Sequence, residues 1–224
     1  MTSRPTRVGH FSFIVKVDIT ATMSASELAQ RIPKGKVIVV GNSGVGKTCL
    51  VNSMFEIPWS EGSTPTTSVG YSTKTAEGAD GFRIQIEVWD TAGQEEYRSL
   101  LPLYFKGTHV ALICCDKYNT SSIPEWAEIV MDYCETAKLL IVLTKSDMLT
   151  PEQEDELTEE MIEYGSDPYG AKTVYVTSAK ESVGIHNLFA NIVDKAIENV
   201  KENRNQTQSD AVAVKSTPSE ESCC

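Results

Sequence analysis

Apolar residues fall in two patterns along this chain. The first is the short continuous run. Lys36-Val37-Ile38-Val39-Val40, Val110–Cys115 and Leu139–Leu143 are such runs, and Thr173–Thr177 is a weaker one. Runs of this length predict strands buried on both faces. The second is helical spacing. Ile185, Leu188, Phe189, Ile192, Val193, Ala196, Ile197 and Val200 make one apolar face over Gly184–Lys201. Pro124–Thr136 and Pro151–Tyr164 are further helical stretches, and Cys49–Phe55 opens another. Val69–Thr75 and Phe82–Trp89 flank Glu77-Gly78-Ala79-Asp80-Gly81, the pattern of a hairpin. Strands alternating with helices predict an α/β fold, a mostly parallel sheet with helices on both faces.

The ends differ from this body. Phe11–Ile19 alternates apolar and polar residues as a half-buried strand does. Ser24-Ala25-Ser26-Glu27 is a capping-box pattern before Leu28 and Ile32, and Pro33 stops the short helix. Residues 1–34 therefore read as an ordered extension, with a disordered leader as the alternative. Residues 202–224 turn polar and read as a flexible tail. The body spans 35–201, and no internal repeat occurs.

Composition narrows the function. A chain of 224 residues, 41% hydrophobic, fits one domain with tails. A net charge of −11 argues against a nucleic-acid partner, although a phosphate pocket needs only local positive potential. The six cysteines lack zinc spacing, and adjacent pairs do not suggest a disulfide framework, so a reducing cytosolic setting is expected. No run is long enough to span a membrane, and Phe11–Val17 is broken by Ser12 and Lys16.

The candidate chemistry starts at Gly41-Asn42-Ser43-Gly44-Val45-Gly46-Lys47-Thr48, a G-x-x-x-x-G-K-T pattern between a strand and a helix. Its glycines let backbone N–H groups turn onto phosphate oxygens, and the helix N-terminus adds positive dipole. Lys47 can reach terminal phosphates and the Thr48 hydroxyl can bind Mg²⁺. Cys49 comes directly after it. Asp90-Thr91-Ala92-Gly93-Gln94 ends a strand; Asp90 can hold Mg²⁺ through water and Gly93 can offer its N–H to a γ-phosphate. Thr144-Lys145-Ser146-Asp147 comes after Leu139–Leu143. A carboxylate there can accept from N1–H and the 2-amino group of guanine, a donor pair adenine lacks. Ser178-Ala179-Lys180 comes after the last strand, and a main-chain N–H there could meet guanine O6. Each segment alone also reads as a turn. Together, in order and each just after a strand, they fall at one edge of a parallel sheet, where ligands bind.

These segments resemble the Ras superfamily of small GTPases over about residues 35–200, and Rab proteins in particular. Gly41–Thr48 is similar to the Rab phosphate loop, and Trp89-Asp90-Thr91-Ala92-Gly93-Gln94-Glu95 to the second switch. Tyr97-Arg98-Ser99-Leu100 and Tyr104-Phe105-Lys106-Gly107 look like the segments after it. Cys223-Cys224 looks like the double prenylation site. The resemblance implies a P-loop NTPase-type G domain that binds GTP or GDP with Mg²⁺. Asn42, Ser43, Gly44, Val45, Gly46, Lys47, Thr48, Cys49, Gly93, Thr144, Lys145, Asp147, Ser178, Ala179 and Lys180 would contact nucleotide. Trp59 takes the place of an aromatic on the guanine edge. Thr48, Asp90 and Thr66 would serve the metal, Gln94 would orient the attacking water and Lys47 would stabilise phosphate charge. With no arginine clearly placed in cis, fast turnover implies an activating protein in trans.

The resemblance further implies an exchange factor, effectors, a prenyl chaperone, a monomeric state, and a cytoplasmic location with reversible membrane attachment. Three departures stand out. Thr144 replaces the usual Asn, as in some Rho-like members. The first switch is irregular: Thr66 is the expected switch hydroxyl, Ser68 the second choice, with Thr67 between them. Tyr71-Ser72-Thr73 replaces the family's V-D-F, so effector contacts do not carry over. Two rival readings stand beside the switch: a nucleotide-dependent scaffold with negligible hydrolysis, and an ATP-dependent P-loop kinase.

Overall fold

The computed structural model describes residues 32–61, 69–91 and 101–215, without the side chains of 101–102 and 206–215. Six strands form one sheet: β1 (Lys34–Val40), β2 (Gly70–Glu77), β3 (Arg83–Asp90), β4 (Val110–Cys115), β5 (Lys138–Leu143) and β6 (Val174–Val176), in the order β2-β3-β1-β4-β5-β6. Only β2 runs antiparallel; it pairs with β3 from Gly70 opposite Asp90 to Glu77 opposite Arg83. The turn of that hairpin is held by Gly78 N–H donating to the Phe82 carbonyl at 3.0 Å.

The helices are α1 (Lys47–Met54), α2 (Leu101–Phe105), α3 (Ile123–Tyr133), α4 (Pro151–Ser166) and α5 (Ile185–Lys215). Continuous apolar strands serve two cores because successive side chains alternate. Val37 and Val39 of β1 and Leu112 and Cys114 of β4 pack with α1 and α5. Ile38, Val40, Ile113 and Cys115 face the other way, onto α3 and α4. Truncating a fully buried residue such as Leu112 to alanine costs about 2–5 kcal/mol in such a core.

Local signals explain the start of α4. Pro151 occupies the first helical position of α4, and Thr150 and Gln153 make the reciprocal capping box. Helix α2 was not expected from apolar spacing; it is only five residues long. The larger difference lies at the C-terminal end. Helix α5 continues to Lys215, so the flexible tail expected from 202 is helical over its first part. Where that part begins, ion pairs reach the body: Lys138 pairs with Glu202 at 2.9 Å and with Glu198 at 3.3 Å, and Lys201 pairs with Asp80. The strand and helix expected before residue 32 lie outside the described residues, as do Thr66, Thr67, Ser68, Gly93, Gln94, Cys223 and Cys224.

Candidate functional site

The segments after the C-terminal ends of β1, β3, β5 and β6 converge on a cavity of about 370 Å³. Gly41 leaves β1 at φ +136°, where an added Cβ would lie 2.2 Å from the Cys114 carbonyl oxygen. No other residue fits that turn without moving β4. Gly44 and Gly46 also take positive φ, +77° and +99°, which lets the loop curl before α1 starts at Lys47. Ser43, Gly44, Gly46, Thr48 and Cys49 line the cavity floor.

Lys47 is buried and donates Nζ–H to the carbonyls of Gly41 and Asn42, both at 2.8 Å. Burial lowers its pKa, with partial opposition from the nearby Cys114 and Asp90. Asp90, at 4% exposure, ends β3 beside this loop. Burial raises its carboxyl pKa, against a hydrogen bond from Thr48 and the charge of Lys47. Its Oδ1 atom is buried with no hydrogen-bond partner among the described residues.

The opposite wall comes from the loops after β5 and β6. The Thr144 hydroxyl is buried and lies 2.5 Å from the Val45 carbonyl and 3.0 Å from that of Cys115. It braces the phosphate loop from behind. Lys145, at φ +57°, donates to the Gly44 carbonyl at 2.6 Å and to Asp116 Oδ2 at 2.8 Å. Asp147 accepts from the Ser178 hydroxyl at 2.6 Å, which fixes the carboxylate where it lines the cavity. Ala179 and Lys180 complete that wall, and Lys180 Nζ sits 5.8 Å from the ring centre of Trp59.

The sequence profile of the Ras family matches residues 36–198. The chain belongs to the Ras family. It is 36% identical to Ras-related protein Rab-19 of Rattus norvegicus over 159 residues, 69% of this chain and 71% of that protein. It is 28% identical to Ras-related protein Rab-30 of Homo sapiens over 172 residues, 75% of this chain and 82% of that protein. As a Rab-like small GTPase it is a GTP hydrolase of a guanine-nucleotide-binding family.

The Mg²⁺ that the family implies fits the residues present. Asp90 offers a buried carboxylate oxygen lacking a donor among the described residues, beside the Thr48 hydroxyl. A divalent cation would supply the missing positive charge. Two expected contacts look different in detail. The Val45 side chain is fully buried in the core, so it can offer a ligand only its main chain. The Asn42 amide is spent on Trp126 and Asn119.

Sequence reading missed Asp116. Burial raises its pKa, but hydrogen bonds from Lys145 and Asn119 outweigh this and hold the carboxyl below its usual value. One signal could have found it: Asp116 directly follows β4, the one central strand to which no motif had been assigned.

Proposed function

We propose that this GTPase is a Rab-type switch in membrane trafficking, cycling between GTP- and GDP-bound forms with slow intrinsic hydrolysis. The observation that carries the nucleotide reading is Asp147. Its carboxylate lines the cavity and is oriented by Ser178 at 2.6 Å, ready to accept from the two donors on the guanine edge. Trp59 and the Lys145 stem would flank the base. Main-chain N–H groups of Gly44, Val45 and Gly46 would bind phosphate, and Lys47 would balance its charge. Thr48 and Asp90 would hold Mg²⁺, with Thr66 as the switch hydroxyl. Bound there, Mg²⁺ would neutralise charge on the terminal phosphates. Gln94 would orient the water that attacks the γ-phosphorus, releasing phosphate and leaving GDP.

The γ-phosphate would order the segments around Thr66 and Gly93, and its loss would release them, so the output is a change in partner binding. Rab resemblance supports an exchange factor, an activating protein and effectors. Single-turnover hydrolysis of bound GTP tests the enzyme against a scaffold. Gln94→Leu should slow it at least tenfold with nucleotide affinity nearly unchanged, since a positioned group contributes about 10²–10⁴-fold. Wild-type hydrolysis in that variant would remove Gln94 from the mechanism.

Membrane attachment would come from geranylgeranyl groups on Cys223 and Cys224. Among the described residues no helix is long and apolar enough to cross a membrane. One lipid chain binds only marginally and two signals are needed for stable anchoring. The segment from 201 onward offers no basic second signal, with Lys201, Arg204 and Lys215 against Glu202, Asp210, Glu220 and Glu221. Replacing both cysteines with serine should move the protein from membranes to the soluble fraction in prenylating cells. Retention on membranes would put the anchor elsewhere.

A further inference from the structure

Helix α3 reaches the phosphate loop through a run of side-chain hydrogen bonds in which Lys145 alone also has a part in the proposed nucleotide site. Trp126, 2% exposed, donates Nε1–H to Asn42 Oδ1 at 2.8 Å. Asn42 Nδ2–H donates to Asn119 Oδ1 at 3.1 Å, and Asn119 Nδ2–H donates to Asp116 Oδ1 at 2.7 Å. Lys145 then donates both to Asp116 Oδ2 and to the Gly44 carbonyl, back on the loop. The run starts at an indole N–H, which can only donate, and ends at a carboxylate, which can only accept. Both asparagine amides are therefore polarised in one direction, and each bond supports the next.

The loop needs such an anchor. Gly41, Gly44 and Gly46 resist deformation little on their own. Asn42 sits among them with its side chain held by α3 and its carbonyl accepting from Lys47 at 2.8 Å. Its peptide is thus pinned from both sides. We infer that Asn42 and Trp126 are positioning residues that set how long a nucleotide stays bound, by holding the Asn42 main chain in place for Lys47. Release of the indole bond lets residues 41–44 relax, and the lysine loses a fixed partner. This inference rests on the guanine-nucleotide reading of the cavity.

Release of fluorescent N-methylanthraniloyl-GDP, chased with excess GDP, tests it on the full chain. Trp126→Phe keeps an aromatic ring and deletes the N–H; Asn42→Ala deletes the acceptor. Each should speed release about three- to tenfold, the size of one net hydrogen bond. The double variant should release no faster than the faster single, because both remove the same bond. Val130→Ala, a core truncation on the same helix outside the circuit, should lower the melting temperature yet leave release within about twofold of wild type. Should Trp126→Phe fail to fold, Asn119→Ala interrupts the circuit from its half-exposed middle and should also speed release. Unchanged release in folded Asn42→Ala and Trp126→Phe overturns the inference. So does equal acceleration by Val130→Ala, which would mean that lost stability alone loosens the site, or additive singles. Failure of the wild type to retain the labelled GDP would instead overturn the nucleotide reading, and this inference with it.

Discussion

On the base side of the cavity, Asp147 already accepts from Ser178 at 2.6 Å and Lys145 is paired with Asp116 at 2.8 Å. On the phosphate side, Asp90 keeps a buried oxygen with no hydrogen-bond partner among the described residues, and Lys47 donates to two main-chain carbonyls. The base side is finished by protein groups alone. The phosphate side carries a buried carboxylate whose charge is only partly answered by Thr48 and Lys47. An unsatisfied buried polar group costs about 1–3 kcal/mol. On the proposed reading, base choice would therefore be built into the ligand-free fold, while the phosphate side would gain stabilisation when cation and phosphate arrive. A switch needs that division: constant recognition of the guanine, and a half that responds to the phosphates.

Asp147→Asn breaks the finished side and should have the largest effect. Losing one partner of a desolvated, charged hydrogen-bond pair costs on the order of 2–5 kcal/mol, so GTP affinity should fall by a factor of thirty or more, roughly. Xanthosine triphosphate should gain, because the new amide matches a carbonyl in place of the amino group. Competition binding with GTP, xanthosine triphosphate and ATP measures this; unchanged GTP affinity would remove Asp147 from the site.

Asp90→Asn sharpens the unfinished side. It should stabilise the nucleotide-free protein at neutral pH by about 1–3 kcal/mol while abolishing the effect of Mg²⁺ on nucleotide retention. The sign comes from the raised pKa of Asp90. With its folded value above the unfolded one, the native state binds more protons in between, and stability falls as pH rises through that window. The penalty is absent below the ordinary carboxylate range and complete above the raised value. Urea unfolding of both nucleotide-free proteins across pH should show a gap that opens with rising pH. A gap that stays constant would mean that Asp90 does not carry the penalty.

Ser178→Ala is the mildest test. It leaves the Asp147 carboxylate in place but removes the hydroxyl that orients it. GTP should bind about three- to tenfold more weakly, with preference over xanthosine triphosphate kept. Equal affinity would show that Asp147 is oriented without Ser178.

Much of this was legible along the chain, because the signals are local. Continuous apolar runs named the strands, and the parallel order put every motif that comes after a strand at one edge. The glycines of the phosphate loop could be read because positive φ is a property of single residues. The local pattern around residue 202 misled: composition read as a tail, but α5 runs on to Lys215, with Lys138 and Asp80, far away in sequence, paired to Glu202 and Lys201 where the stretch begins. Thr144 could be noticed as a substitution; that its hydroxyl lies between the Val45 and Cys115 carbonyls could not. Asn42 looked like a loop residue facing phosphate, whereas its amide turns to Trp126, 84 positions away. Periodicity and turn chemistry act over a few residues, so the sequence by itself determined the elements, their order and the edge where the chemistry gathers. Hydrogen bonds between distant side chains need close spacing and direction, and only the packing of α3, α4 and α5 on the sheet decided which groups meet.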